Sequence, residues 1–268
     1  MSLMNSKDFE AKPEARPETR PETRFTAGFA TSPEEILETQ KLRYQIFAGE
    51  LGAQIDGGED GVDRDAYDPY CKHLIVREAG GRLVACTRIL TDQQAARAGG
   101  FYSAGEFELS MIDSLPGRVM EVGRTCVHAD YRSGAVIATL WQGLAAFFTQ
   151  HGYDYLFGCA SIGLEDGGAQ AHAILRQVQA KYMAPGYQRV RPYHLLPLSD
   201  GEPPQKVRLP PLLKAYVSLG AKVCGEAYWD QDFNCADVFM LLNVSDICPR
   251  YARHFLGIQP STDIIGHA

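Results

Sequence analysis

The sequence predicts a mixed α/β sheet folded as a single domain, on three observations. Between residues 119 and 182 the apolar spacing switches from strand-like to helix-like twice, reading strand, helix, strand, helix. A chain of 268 residues with 45% hydrophobic composition can bury roughly 70% of its unfolded surface. No apolar run approaches the roughly 20 residues needed to cross a bilayer, and the first residues lack the basic-then-apolar layout of a secretory signal. A cytosolic location is expected.

In chain order, Pro13 to Arg24 holds three copies of Pro-Glu-(Ala/Thr)-Arg without an apolar anchor, so residues 1–24 read as a disordered tail. The domain is expected over 25–260, with 261–268 a second tail. Ser32, Pro33 and Glu35 supply an N-cap, a first-turn proline and a capping-box carboxylate for a helix running to about Glu50. On it Ile36, Arg43 and Phe47 share a face, and an arginine on an apolar face needs an acidic partner. Leu74–Glu78 and Leu83–Leu90, joined at Gly80-Gly81, read as a hairpin, and Val119–Val127 as a third strand. Ile137, Leu140, Trp141, Leu144, Phe147 and Phe148 mark a buried helical face after Gly134. Tyr153–Ala160 is the next strand, and Ala171, Ile174, Leu175, Val178 and Tyr182 the next amphipathic helix. Residues 184–211 hold seven of the fifteen prolines, which predicts an irregular excursion or lid. Leu212–Leu219 reads as a short helix stopped by Gly220, and Lys222–Trp229 and Asp237–Val244 as closing strands.

The charge pattern narrows the function. A net charge of −7 argues against a nucleic-acid binder, because counterion release needs a basic surface. Ala171–Lys222, however, carries eight basic against two acidic side chains, a local surplus of +6. Seven scattered cysteines without a Cys-x-x-Cys pair exclude a disulfide framework or zinc finger, and no metal is expected. Cys126 and Cys159 fall inside strands and read as core residues. Gly-x-Gly-x-x-Gly, Walker and Gly-x-Ser-x-Gly signatures are absent. What remains is the strand-turn-helix junction from Val127 through Arg132, Ser133, Gly134 and Ala135, whose free helix amides suit a phosphate.

Several stretches resemble a known family over most of residues 34–256. Arg43-Tyr44-x-x-Phe47, Asp65-Ala66-Tyr67-Asp68, Arg88, Glu121-Val122-Gly123-Arg124 and Val127-x-x-x-Tyr131-Arg132 are similar to the acyl-homoserine-lactone synthases and their relatives in the GNAT superfamily. Tyr67-Asp68-x-x-Cys71-x-His73-Leu74, Gly100-Phe101-Tyr102-Ser103-x-x-Glu106-Phe107, Leu156 to Ser161, Leu209-Pro210-Pro211-Leu212, Phe233-Asn234-x-x-Asp237-Val238 and Arg250-Tyr251-x-x-His254-Phe255 resemble the hemolysin-like L-ornithine N-alpha-acyltransferases of ornithine-lipid synthesis. The resemblance implies a GNAT-like mixed central sheet flanked by helices. It also implies transfer of a long-chain (3-hydroxy)acyl group from acyl carrier protein to ornithine, giving lyso-ornithine lipid. Where the phosphate loop of a GNAT protein has glycine, this chain has Ala135, and Ile137 stands where a small residue is usual. That departure favours a donor held partly by protein contacts. A phosphopantetheine thioester of acyl carrier protein fits this better than coenzyme A, and no tightly bound cofactor is expected.

Acylating an amine requires the amine to be neutral, so a base is needed. Glu121 is the candidate, with Arg124 beside it if Gly123 permits a bulge that overrides strand alternation and frees an amide for the oxyanion. Arg43, Phe47, Asp65, Asp68 and Arg88 are the candidate acceptor-binding residues: carboxylates for ornithine's cationic side chain, an arginine for its carboxylate. The alternative for the charged residues is an internal ion-pair cluster pinning the first helix. Acyl carrier proteins are acidic, and Arg176, Lys181, Arg189, Arg191 and Lys214 are the expected docking residues. Rival readings are acyl-homoserine-lactone synthesis, acylation of another amino acid, acyl transfer from coenzyme A, and a lipid-surface effector without catalysis. Peripheral contact with the inner face of a membrane through the lipid product is also expected.

Overall fold

The computed structural model describes residues 25–55, 60–202, 204 and 206–247. Both expected tails lie outside these residues. The chain forms strand β1 (Phe25–Phe29), helix α1 (Pro33–Tyr44), the hairpin β2 (Lys72–Glu78) and β3 (Leu83–Thr91), and α2 (Asp92–Ala98). It continues with β4 (Phe107–Glu108), α3 (Ser110–Asp113), β5 (Val119–Val127), α4 (Gly134–His151), β6 (Tyr155–Gly163) and α5 (Ala169–Tyr182). The last elements are β7 (Arg191–Pro192), α6 (Pro211–Leu219), β8 (Lys222–Val223), β9 (Tyr228–Asp230) and β10 (Cys235–Asn243).

The Ser32 hydroxyl accepts from the Glu35 amide at 3.3 Å, capping α1 as its sequence requires. Glu35 reaches one residue further back than a capping box, accepting from the Thr31 amide at 2.8 Å. The α-helical part stops at Tyr44. From Gln45 to Glu50 the turn widens to π geometry, with the Leu51 amide donating to the Ile46 carbonyl at 3.0 Å. The expected single helix to Glu50 is therefore two helical types in series.

An eight-stranded sheet runs β1-β2-β3-β5-β6-β10-β8, with β9 also on β10. Its named neighbours are antiparallel apart from β5 and β6, which pair in parallel only over Val119↔Tyr155, Met120↔Leu156 and Glu121↔Phe157. Both strands run six residues further without a shared ladder, so the sheet opens there. A Cβ on Gly158 would lie 2.1 Å from the Val122 carbonyl oxygen, so glycine alone fits at the start of the opening.

Strand alternation separates two faces. One carries the largest core, in which Leu140, Trp141, Leu144 and Phe148 of α4, Ile174 and Val178 of α5 and Leu213 and Tyr216 of α6 cover Met120, Val122, Leu156 and Val238. The Trp141 and Tyr216 rings meet edge-on at 5.2 Å. On the opposite face α1 packs Leu42 over Ile75 and Cys86, and Phe107, Met111 and Ile112 pack on Phe157 and Phe239. The proline-rich excursion is not a free lid. Its β7 pairs with β4, and the Val190 amide donates to the Cys224 carbonyl at 2.7 Å. That bond interrupts the expected strand 222–229, which splits into β8 and β9.

Candidate active site

Alternation brings Arg88 and Leu90 of β3, Glu121 of β5, Cys159 and Ser161 of β6 and Asp237 of β10 to the wall of one cleft on the α1 face. The cleft has a cavity volume of about 100 Å³, and Phe47, Tyr67, Tyr102, Glu106, Asp230 and Phe233 complete its wall. Arg124 would point away in a regular strand. The pairing of β3 with β5 slips between Cys86 and Arg88, and Arg124 has φ 50°, a left-handed conformation rare outside glycine. The resulting bulge turns Arg124 into the same cleft as Glu121. Such local strain is characteristic of positions held for function.

Glu121 is buried, and donors from the turn Tyr102–Gly105 fix its carboxylate. Its Oε2 accepts from the Tyr102 amide at 2.7 Å, and its Oε1 from the Ser103 amide at 2.8 Å and the Ser103 hydroxyl at 2.5 Å. Burial raises its pKa, against the lowering effect of these donors and of Arg88. A carboxylate pushed upward yet held ionisable by fixed donors suits a base working near neutrality.

The other charged candidates divide. Arg43, fully buried, gives Nε to Asp63 at 2.9 Å and grips Asp68 with two nitrogens at 3.0 and 2.8 Å. Arg88 reaches Asp65 at 2.6 Å and Asp68 at 3.1 Å. Burial alone would raise the Asp68 carboxyl, but the Arg43 and Arg88 guanidinium groups hold it well below the usual range. Arg43, Asp65 and Asp68 are absent from the cleft wall, where Arg88 and Phe47 stand. For Arg43 and Asp68 the geometry is that of the internal ion-pair cluster, which pins α1 and the loop 60–71 over β3. Asp65 bridges this cluster to Arg124, 3.7 Å away, and its Oδ2 accepts no hydrogen bond among the described residues. Arg124 also contacts Asp63 at 3.3 Å and lies over the rings of Tyr102 and Phe233 at 4.8 and 4.6 Å.

Sequence reasoning missed Asp63, Ser103 and a second acidic group. Glu106, Asp230 and Asp237 stand together in the cleft wall. The Asp237 carboxylate lies within 4.8 Å of both the Glu106 and the Asp230 carboxylates. Burial and the negative charges of Asp237 and Asp230 raise Glu106 well above its ordinary value, and burial raises Asp237 to about 6. The available signal was Asp237 itself, an acid in the otherwise apolar run Ala236–Leu242. Cys159 and Cys235 complete two possible three-ligand metal sets with these acids. Burial raises both thiols, which disfavours the thiolate a nucleophile needs. Cys159 packs against the second core as expected and also lines the cleft, with its thiol 3.4 Å from Glu106.

At the junction of β5 and α4, Arg132, Ser133, Gly134 and Ala135 are exposed and Val127 is half-buried. Ser133 makes no side-chain cap, which leaves the first amides of α4 available to an anion. Arg132 donates to the Val127 carbonyl at 3.3 Å and pairs with Glu50. Arg176, Lys181, Arg189, Arg191 and Lys214 are all exposed, and none forms an ion pair among the described residues. Among those residues no helix is long and apolar enough to cross a membrane.

An acetyltransferase (GNAT) domain family matches residues 42–142. The chain is 35% identical over 243 residues to an L-ornithine N(alpha)-acyltransferase of Rhizobium meliloti, covering 84% of this chain and 82% of that one. It is 33% identical over 245 residues to the protein of that name from Brucella abortus, covering 84% and 86%. Among solved structures it resembles the AHL synthase LasI, with TM-score 0.52, 13% identity and coverage of 88% and 96%. It also resembles FeeM, an N-acyl amino acid synthase from uncultured soil microbes, with TM-score 0.51, 15% identity and coverage of 84% and 92%. These two likenesses establish the fold, and the two preceding ones the lineage: the chain belongs to the L-ornithine N(alpha)-acyltransferase family of the GNAT superfamily.

Proposed function

We propose that the protein moves a long-chain (3-hydroxy)acyl group from an acyl-carrier-protein thioester to the α-amine of ornithine, giving lyso-ornithine lipid. The observation that carries this reading is the bulge that brings Arg124 into the wall of the cleft that Glu121 also lines, where β5 and β6 part. Glu121, directly or through one water, takes a proton from the amine, whose nitrogen attacks the thioester carbonyl carbon. The tetrahedral oxyanion is stabilised by a backbone amide of β5 beyond the end of its ladder with β6. The C–S bond then breaks as the amide C–N bond is kept, and the sulfur leaves with a proton as the free thiol. Arg124 and Arg88, both in the cleft wall, receive the ornithine carboxylate.

The donor's arm enters between the diverging strands, with its phosphate at the uncapped start of α4 among Val127, Arg132, Ser133, Gly134 and Ala135. Arg176, Lys181, Arg189, Arg191 and Lys214 dock the acidic carrier. Leu195 and Leu198, 63% and 91% exposed in the same segment as Arg189 and Arg191, favour transient contact of a cytoplasmic enzyme with a membrane that takes up the product. Incubating the purified protein with carrier-protein and coenzyme A thioesters of several chain lengths and a panel of amino acids tests the whole reading. Acyl-ornithine formed fastest from long-chain carrier thioesters is expected. Faster turnover with coenzyme A thioesters would overturn the donor assignment, and preference for another amino acid would overturn the acceptor.

A further inference from the structure

Glu106, Asp230 and Asp237 come from a loop turn, β9 and β10, and meet only in the folded protein. Glu106 and Asp237 are 6% and 5% exposed, a setting in which carboxylates are ordinarily matched by a cation. Among the described residues no lysine, arginine or histidine forms an ion pair with any of the three. Arg124 shares the wall but contacts Asp63 and Asp65 instead. The partners that exist are few and neutral. Ser161 and the Cys235 thiol donate to Asp237 at 2.6 and 3.8 Å, the Phe233 amide to Asp230 at 3.0 Å, and the Cys159 thiol to Glu106 Oε2 at 3.4 Å. The Cys159 thiol is the one donor to the Glu106 carboxylate among the described residues, although Glu106 is only 6% exposed and lines the cleft, which leaves Oε1 turned to the cleft without a protein donor. Asp68, by contrast, is saturated by Arg43 and Arg88.

We infer that Glu106, Asp230 and Asp237 form the specificity pocket for the acceptor, receiving a cationic side-chain ammonium while Arg124 and Arg88 hold the acceptor's carboxylate. This rests on the acyltransferase reading above and gives it a source of selectivity. An ammonium supplies three donors and one positive charge, which is what three crowded carboxylates with unused acceptor positions lack. The same pocket rejects neutral side chains, because they would leave buried charges without partners. The cationic end then lies against β10 and the carboxylate against the bulge, which leaves the α-amine to face Glu121.

The test compares ornithine with norvaline, which has the same carbon chain without the terminal amine, in full-length parent, Glu106→Gln, Asp237→Asn and Asp230→Asn proteins. The quantity read is the ratio of kcat/KM for ornithine to that for norvaline, so that any general loss of activity cancels. The ratio is expected to fall at least roughly tenfold in each variant, chiefly through the ornithine KM. Asp230 is less buried than the other two, so its variant keeps the comparison open should either deeper substitution disturb folding. An unchanged ratio in the folded variants overturns the pocket while leaving the ornithine reading intact. If the parent instead prefers another cationic amino acid and the variants lose that preference, the pocket stands and the ornithine reading fails. Parent preference for a neutral acceptor overturns both.

Discussion

Ser103 alone gives Glu121 Oε1 two donors, its amide and its hydroxyl, while Glu121 itself is buried under the turn that Ser103 begins to close. A donor to a carboxylate favours the charged form, so its removal raises the pKa. A base works in its deprotonated form, so Ser103→Ala should shift the acidic limb of the kcat profile to higher pH without abolishing turnover. An unmoved limb would show that Glu121 ionisation does not limit the reaction. Asp68 behaves differently because it lies outside the cleft wall, held between Arg43 and Arg88. Asp68→Asn leaves Arg43 and Arg88 partly uncompensated in the interior and should cost about 3 to 5 kcal/mol of stability. Its preference for ornithine over norvaline should survive, measured by denaturant unfolding beside competition kinetics. Lost preference with unaltered stability would return Asp68 to the acceptor site.

The elements explain which of these features could be read in advance. Hairpin β2-β3, strand β5 and helices α4 to α6 follow from apolar spacing and caps, because each buries one side against the sheet. Strand β1 escaped, since its Thr26, Ala27 and Gly28 are exposed at the sheet edge and leave no periodic trace. The π turn escaped too, for Gln45–Glu50 has an ordinary helical composition and its widening answers to packing. The bulge was legible through Gly123, though the residue that takes the unusual conformation is Arg124. Glu106 and Asp237 stood in stretches that resemble the family, but their union with Asp230 depends on the pairing of β9, β10 and β6, which no local pattern encodes. The opening between β5 and β6 belongs to this scale as well. Gly158→Ala would drive a methyl into the Val122 carbonyl and force the two strands apart or out of register. A loss of about 1 to 3 kcal/mol is expected, with a larger fall in kcat/KM for the thioester than for ornithine. Equal falls for both would mean that the opening does not position the donor.

For the whole molecule, the decisive asymmetry is a basic segment on an acidic body. Exposed charges change encounter rate more than affinity and are screened over about 8 to 10 Å. Charge reversal at Lys181, Arg189 and Lys214 should slow transfer from carrier-protein thioesters and flatten its salt dependence, and affect short coenzyme A thioesters little. Equal slowing of both donors would place these residues in the fold or the chemistry instead. The carboxylate cluster has a further consequence, for folding itself. Asp237 is raised to about 6 in the native protein, burial being the main cause and Asp230 adding to it, against the lowering effect of Ser161, Arg124 and Cys235. Between its unfolded value near 4 and that native value, the folded chain holds more protons than the unfolded one, so this group costs stability as pH rises. The gain in melting temperature from Asp237→Asn should therefore be absent near pH 4 and complete above about 6.5. Ornithine should narrow it by stabilising the parent more, which calorimetry of both proteins with and without ligand would read directly. An enzyme that pays this cost when empty is one that its own acceptor helps to keep folded.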